Sequence, residues 1–176
     1  MVKIVTKLDA EVQKSLNKFS FKRTLPLILL LSVFIILFGL IKLPDEDGSY
    51  TVGITLIACG VLFLPFCLLM VFIGQKNAVK QMPLLSAEPI CTFTFENDKF
   101  FIEEVKGETY RSTTEAVYDY FNRVYETETH YYLYISQTQC HVLPKKDIVE
   151  GSAEELTTLL FRNLGPRKFV LKKGKR

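Results

Sequence analysis

Two uncharged stretches decide the fold. Residues 25–41 read LPLILLLSVFIILFGLI, and residues 51–74 read TVGITLIACGVLFLPFCLLMVFIG. As helices they would be roughly 26 and 36 Å long, because each residue adds about 1.5 Å. The hydrocarbon layer of a bilayer is about 30 Å thick, and a longer helix can tilt within it. We therefore expect a hairpin of two transmembrane helices over residues 25–43 and 51–74, with the Lys42 ammonium reaching the headgroups.

Two other interpretations of these stretches are disfavoured. A small soluble domain has no room to bury two helices that are apolar on every side. A removable signal peptide has a shorter apolar region and a small-residue cleavage pattern, whereas the first stretch begins at residue 25 and continues into Lys42-Leu43-Pro44-Asp45.

The flanking charges predict the orientation of the hairpin. Six bases precede the first stretch: Lys3, Lys7, Lys14, Lys18, Lys22 and Arg23. The loop from Lys42 to Tyr50 has one base and three acids. Since cytoplasmic flanks are enriched in Lys and Arg, we expect a multi-pass protein of the cell membrane with both termini in the cytoplasm.

The basic N-terminal segment, residues 1–24, shows helical spacing of apolar residues at Leu8, Val12, Leu16 and Phe19. It could lie on the inner leaflet, pack on the cytoplasmic domain as a short helix, or fray, and the pattern does not choose among these.

Small residues are spaced by seven within both apolar stretches. Ser32 and Gly39 lie in the first, and Gly53 and Gly60 lie in the second. This spacing favours close packing of an antiparallel helix pair. Neither stretch contains Asp, Glu, Lys, Arg, His, Asn or Gln, which disfavours an ion or substrate path.

Residues 75–176 follow a different pattern, with alternating apolar residues typical of strands. We expect about six strands: 91–95, 100–105, 108–112, 117–125, 131–136 and 139–143. Ser152 and Glu155 form a capping-box pattern that begins a helix ending near Gly165-Pro166. The predicted fold class is α+β: a transmembrane hairpin with a cytoplasmic antiparallel barrel or sandwich closed by a C-terminal helix, a class that includes pleckstrin-homology-like folds.

Three stretches carry a resemblance to a known family. YDYFNRVYET (118–127), YYLYIS (131–136) and VLPK (142–145) resemble the YcxB-like family of bacterial membrane proteins. That family shares the layout of a basic N-terminus, a two-helix hairpin and a C-terminal domain. The resemblance implies a pleckstrin-homology-like domain and no activity, and it transfers no functional residue. Asp147 departs from the family, which tends to have an aromatic residue there.

The residue types that could support catalysis are few: Cys140, His141, His130, Glu126, Glu128 and Asp147. If Gln137-Thr138 is a two-residue loop, Ile135 faces Cys140 and Tyr134 faces His141. Cys140 then lies on the core face and His141 on the other, so the two cannot form a nucleophile–base pair. The four cysteines and two histidines show no metal-ligand spacing. We predict no catalytic, cofactor-binding or metal site.

The C-terminal tail, residues 165–176, is rich in bases, so it is a candidate contact for anionic lipid headgroups. Its bases are Arg167, Lys168, Lys172, Lys173, Lys175 and Arg176. The alternative is a solvated end that only supports the topology. Nucleic-acid binding lacks a supporting fold motif.

These observations predict a membrane-anchored, non-catalytic cytoplasmic interaction or regulatory domain of unknown ligand. The partners would be the lipid bilayer, anionic headgroups, and another protein or a second copy of the chain. The alternatives are a membrane subunit that assembles through its hairpin, and an enzyme whose site the motifs do not reveal.

Overall fold

The computed structural model describes residues 1–7, 9–43, 50–81, 89–107, 110–137 and 139–172. It has three helices, α1 (Ala10–Ile41), α2 (Thr51–Gln81) and α3 (Ala153–Lys168). The strands in the described residues are β1 (Val2–Lys7), β2 (Ile90–Phe95), β3 (Lys99–Lys106), β4 (Tyr110–Val117), β5 (Arg123–Glu126), β6 (His130–Tyr134), β7 (Cys140–Pro144), β8 (Ile148–Glu150) and β9 (Phe169–Leu171). Short 3-10 turns at Tyr118–Tyr120 and Lys145–Asp147 follow β4 and β7.

The chain divides into two compact units. One contains Gln13–Met82, and the other contains Met1–Val12 together with Pro83–Arg176. The second unit is thus assembled from both ends of the chain, with the helical hairpin inserted between its parts.

The helical unit holds two helices that are long and apolar enough to cross a membrane. In the most apolar 18-residue stretch of each helix, only 11% and 6% is buried within the protein. A core helix of a soluble protein would bury most of such a stretch, so the structure does not support the soluble-core alternative.

Small residues bring α1 and α2 together at the predicted positions. The Ser32 hydroxyl donates a 2.7 Å hydrogen bond to the Gly60 carbonyl. A Cβ atom added to Gly53 would lie 2.9 Å from the Gly39 carbonyl oxygen. These two contacts confirm the close antiparallel packing that the seven-residue spacing predicts.

The other unit contains two sheets that do not close into a barrel. Five strands form the first sheet in the order β4-β3-β2-β1-β8, and four form the second in the order β7-β6-β5-β9. All described pairings are antiparallel except that of β5 with β9. The α+β class is confirmed, and a closed barrel is not present.

Strand β1 differs from the helical expectation for the N-terminal segment. It lies between β2 and β8, and its buried side chains include Val2 and Ile4. Helical structure begins only at Ala10, where the Asp9 carboxylate caps α1 by accepting hydrogen bonds from the amides of Glu11 and Val12, both at 2.9 Å. Alternation at residues 2–6 signals this strand, and the longer helical stripe that follows obscured it.

The β1–β2 ladder shows where the hairpin enters the domain. Lys7, at the end of β1, pairs with Ile90, at the start of β2. Directly opposed residues of an antiparallel pair are about 5 Å apart. Residues 8–89, which include the whole apolar hairpin, are therefore the stretch of sequence that connects two neighbouring strands.

The core lies between the sheets and α3. Phe93, Phe95 and Phe100 of the first sheet and Leu133 and Leu143 of the second are almost fully buried in one cluster. From α3, the cluster receives Leu156, Leu160 and Leu164.

The C-terminal helix begins as the sequence predicts, and its regular geometry breaks at the predicted position, Gly165. The predicted capping box is confirmed: Ser152 Oγ accepts from the Glu155 amide, and the Glu155 carboxylate accepts from the Ser152 amide. Helical geometry breaks at Gly165, whose φ of 68° suits a residue without Cβ. The chain then continues through Lys168 into β9, which pairs with β5. The predicted strand over 117–125 is wrong, because the 3-10 turn at Tyr118–Tyr120 separates β4 from β5.

Candidate functional site

The β6–β7 hairpin holds the candidates Cys140 and His141 in a register that differs by one residue from the prediction. Leu133 pairs with His141, and Tyr134 pairs with Cys140. The connection is longer than two residues: the Ile135 amide donates to the Gln139 carbonyl at 3.0 Å, and the Gln139 amide donates to Ser136 Oγ at 3.1 Å. A one-residue change in register exchanges the two faces of a strand, so the predicted face assignment is wrong.

His141, not Cys140, packs toward the core. The His141 ring meets the Phe93 ring edge-on, with 5.3 Å between centroids. Burial lowers the pKa of His141, partly offset by the Glu104 carboxylate, which raises it. Cys140 is partly exposed, and its Sγ lies 3.4 Å from the backbone carbonyl of His141. The two side chains point to opposite faces, so they form no nucleophile–base pair.

A second candidate region is a cleft of about 230 Å³ beside the start of α1. It contains His130 and the charged residues Lys7, Asp9, Glu11, Lys146 and Asp147. Burial and the neighbouring Lys146 ammonium lower the pKa of His130.

Hydrogen bonds join Lys146 and Asp147, which line the cleft, to the start of α1 and to β1. The buried Thr6 hydroxyl of β1 donates to Asp147 Oδ2 at 2.7 Å. Lys146 donates to Glu11 of α1 at 3.1 Å. The Asp147 carboxylate therefore connects the turn after β7 to the N-terminal strand.

Glu126 lies in the most buried ion pair of the described residues. Lys145 Nζ donates to Glu126 Oε1 at 2.5 Å, and their side chains are 21% and 9% exposed. The same ammonium lies 4.9 Å from the centre of the Tyr131 ring. Glu126 Oε2 is buried without a hydrogen-bond partner. Sequence reasoning considered Glu126 and missed Lys145, since only the fold brings residues 19 positions apart together.

Glu128 is exposed in the turn between β5 and β6. Within the described ranges, no group of three or more His, Cys, Asp and Glu side chains could hold a metal ion.

The predicted lipid-contact residues fall in three different settings. Arg167 is exposed. Lys168 donates to Asp119 Oδ1 at 2.9 Å, and Lys172 lies 5.4 Å from the centre of the Tyr125 ring. Lys173, Lys175 and Arg176 lie outside the described residues. The segment 165–172 is anchored in the fold, because the buried Phe169 and the β5–β9 pairing hold it.

A comparison with protein families found a match to part of this chain. A family model described as YcxB-like protein matches residues 95–160. No curated protein and no solved structure matches the chain. The matched region runs from the end of β2 into α3 and includes Glu126, Lys145 and Asp147. The YcxB-like resemblance is therefore confirmed, and the match covers residues 95–160 of this chain.

Proposed function

We propose that this chain is a membrane-anchored, non-catalytic interaction or regulatory protein of the bacterial cell membrane. The observation that carries the proposal is the insertion of the apolar hairpin between the paired residues Lys7 and Ile90. A displacement of α1 in the bilayer would act directly on β1, which hydrogen-bonds to strands on both sides. This connection supports a role of the domain in sensing or transmitting what happens to the hairpin.

The cytoplasmic location of the domain rests on charge and connectivity. The hairpin crosses the membrane twice in this proposal, which returns the chain to the side where it began. The pairing of β1 with β2 agrees with this, because both strands must be on one side. The excess of Lys and Arg before the first span then favours the cytoplasm.

Cysteine accessibility tests this arrangement. A Gly48→Cys variant should react with a membrane-impermeant thiol reagent in intact cells, since residue 48 lies in the acidic loop. A Glu128→Cys variant should react only after permeabilisation. External labelling of Glu128→Cys would contradict the proposed topology.

A pleckstrin-homology-like relationship is the finer proposal for the fold. Two mainly antiparallel sheets packed with one C-terminal helix support it. The N-terminal strand that precedes the hairpin would then be the first strand of such a domain. An experimental structure of the domain, compared with that fold class, tests this relationship.

Anionic lipid is one proposed ligand of the domain. Exposed Arg167 and the bases that follow it would lie against headgroups, where each base gains about 1 kcal/mol. The intact protein need not be used, because residues 1–7 joined to residues 90–176 through an Asn-Gly turn would retain the strand pairing. This shortened domain should sediment with anionic vesicles and not with neutral ones, and less so as salt shortens the Debye length to about 8 Å.

Matched charge changes test the position of the contact. Changing four tail bases to Gln should abolish most of the sedimentation: Lys172, Lys173, Lys175 and Arg176. Changing four bases elsewhere should preserve it: Lys3, Lys106, Arg111 and Lys146. Equal loss in both variants would mean a diffuse charge effect and would contradict a tail-specific contact.

A partner test addresses the interaction role itself. A photo-reactive residue at the exposed position Arg167 of the intact protein should capture a defined protein or lipid in the membrane. A small-molecule reaction catalysed by the purified chain, and lost in Lys145→Ala without loss of fold, would contradict the non-catalytic proposal.

A further inference from the structure

Strand β4 is a long edge of the five-stranded sheet. Its eight residues pair with β3 on one side in an unbroken register from Tyr110–Lys106 to Val117–Lys99. Among the described residues, no strand pairs with its other side. An edge strand presents free backbone amides and carbonyls that can accept another strand.

The other edges carry the features that usually prevent such pairing. Strands β8 and β9 have three residues each, and β7 ends at Pro144. Strand β4, YRSTTEAV, contains no proline, lysine or glycine, and its pairing with β3 shows no bulge. Of the four edges in the described sheets, β4 is therefore the one best suited to accept a partner strand.

We propose that β4 pairs antiparallel with β4 of a second copy of this chain, across a two-fold axis at Thr113. This register places Arg111 of each copy opposite Glu115 of the other. It also places Ser112 opposite Thr114, and it pairs seven residues, 110–116. Opposite charges directly across an antiparallel pair are favourable, and like charges are unfavourable.

The direction of the side chains supports this register. Arg111, Thr113 and Glu115 share the outer face of the sheet, whereas Ala116 on the other face packs against the core. Pairing odd residues with odd residues keeps the outer faces of both copies on one side of a continuous sheet. Shifting the register by two residues would place Arg111 opposite Thr113 or Val117 and would remove both charge pairs.

The side chains of Arg111 and Glu115 are exposed enough to reach a second copy. Their side chains are 71% and 56% exposed, and they contact neighbours on β3: Arg111 with Glu103 at 3.6 Å, and Glu115 with Lys99 at 2.7 Å. In the paired sheet, each would lie between its present neighbour and a residue of the second copy. The inference does not depend on the proposed function, because a chain can self-associate whether or not it contacts another partner.

Charge exchange in the full chain tests the pairing. In detergent or nanodiscs, the wild type should form a dimer. Arg111→Glu would face Glu115 of its own second copy, and Glu115→Arg would face Arg111, so each variant should dimerise at least tenfold more weakly. Mixing the two variants restores both charge pairs, so the mixture should form mixed dimers with an affinity near that of the wild type.

A disulfide test provides an independent measurement. Thr113→Cys should form an intermolecular disulfide on mild oxidation, because the two residues meet at the axis. Glu150→Cys, exposed on the opposite edge of the same sheet, should not. A monomeric wild type, dimerisation of either charge variant as strong as that of the wild type, or failure of the mixture to recover would overturn the proposal. Circular dichroism and protease resistance confirm that each variant folds.

Discussion

The helical hairpin and the domain that contains the two sheets reach close packing in different ways. In the hairpin, small residues allow the close approach: the Gly39 and Gly53 backbones meet, and the Ser32 hydroxyl reaches the Gly60 carbonyl. In the domain, large side chains from distant parts of the chain interlock, from Val2 to Phe169. The hairpin contacts follow a local spacing, whereas the domain contacts depend on pairing that no local pattern specifies. Two regions of one chain therefore differ in how far their sequence predicts their structure.

The strongest test of this comparison separates the two regions. Replacing residues 8–89 with an Asn-Gly turn should leave a soluble, folded domain, because Lys7 and Ile90 are already paired and such a turn closes a two-residue hairpin. A fragment that begins at Gln75 lacks β1 and should lose all of its folding free energy, about 5–15 kcal/mol. Circular dichroism and thermal unfolding of both chains provide the measurement.

A cooperatively unfolding Gln75–Arg176 fragment would contradict this view. It would mean that β1 is dispensable and that the domain folds without the N-terminal strand.

The next test compares two adjacent lysines in the domain. Lys145→Ala leaves Glu126 buried without its ion-pair partner, which should lower the free energy of unfolding by about 3 kcal/mol. The estimate is at the lower end for buried pairs, because Lys145 retains some exposure. Lys146→Ala breaks only an exposed pair with Glu11 and should produce no measurable change. Denaturant titrations of the two variants give the difference, and equal effects would show that burial does not decide it.

The hairpin has its own matched pair of glycines. A Cβ at Gly53 would lie 2.9 Å from the Gly39 carbonyl oxygen and from the Leu43 backbone, whereas one at Gly74 would meet nothing within 4 Å. We expect Gly53→Ala to destabilise the hairpin by about 1–3 kcal/mol. Gly74→Ala should not destabilise it, because alanine favours a helix. Unfolding in mixed micelles with increasing dodecyl sulfate measures both, and equal stability of the two would refute close backbone packing.

The smallest expected effect concerns pH and the register of β7. Because burial lowers the pKa of His141 in the folded state, the unfolded chain binds the proton more readily. Its contribution to stability is therefore present above the ordinary histidine pKa of about 6.5 and is lost as the pH falls from that value through the lower pKa of the folded state. The free energy of unfolding should fall between pH 7.5 and 5.5, and less so in His141→Gln.

His130 also has a lowered pKa, so its contribution should persist in His141→Gln. A pH dependence unchanged by His141→Gln would indicate that the ring is not held in the core.

Much of the domain could be predicted from the sequence, and the errors of that prediction have physical causes. Alternation of apolar residues predicts strands β2, β3, β6 and β7. The side chains of Ser152 and Glu155 predict the capping box of α3. The prediction failed at the β6–β7 connection, where a longer loop shifted the register and exchanged the faces of Cys140 and His141. Loop length is set by hydrogen bonds between Ile135, Ser136 and Gln139, which residue types alone do not specify.

The short strands show a second limit. Strands β8 and β9 have three residues each, too few for alternation to stand out from a loop or a basic tail. They form because a neighbouring strand and the core are already in place. The Glu126–Lys145 pair has the same origin, since it requires the ends of β5 and β7 to meet.

The sequence by itself determined the two apolar helices, their contacts at small residues, the cap of α3 and the YcxB-like match. Each of these depends on residues that are close together along the chain or repeat at a fixed spacing, so the physical cause lies within one segment. The tertiary structure alone decided that Val2–Lys7 is a strand between β2 and β8, that His141 faces the core, and that Glu126 meets Lys145. Each of these requires segments that are distant in sequence to pair or pack, and the energy of that contact exceeds the local preference.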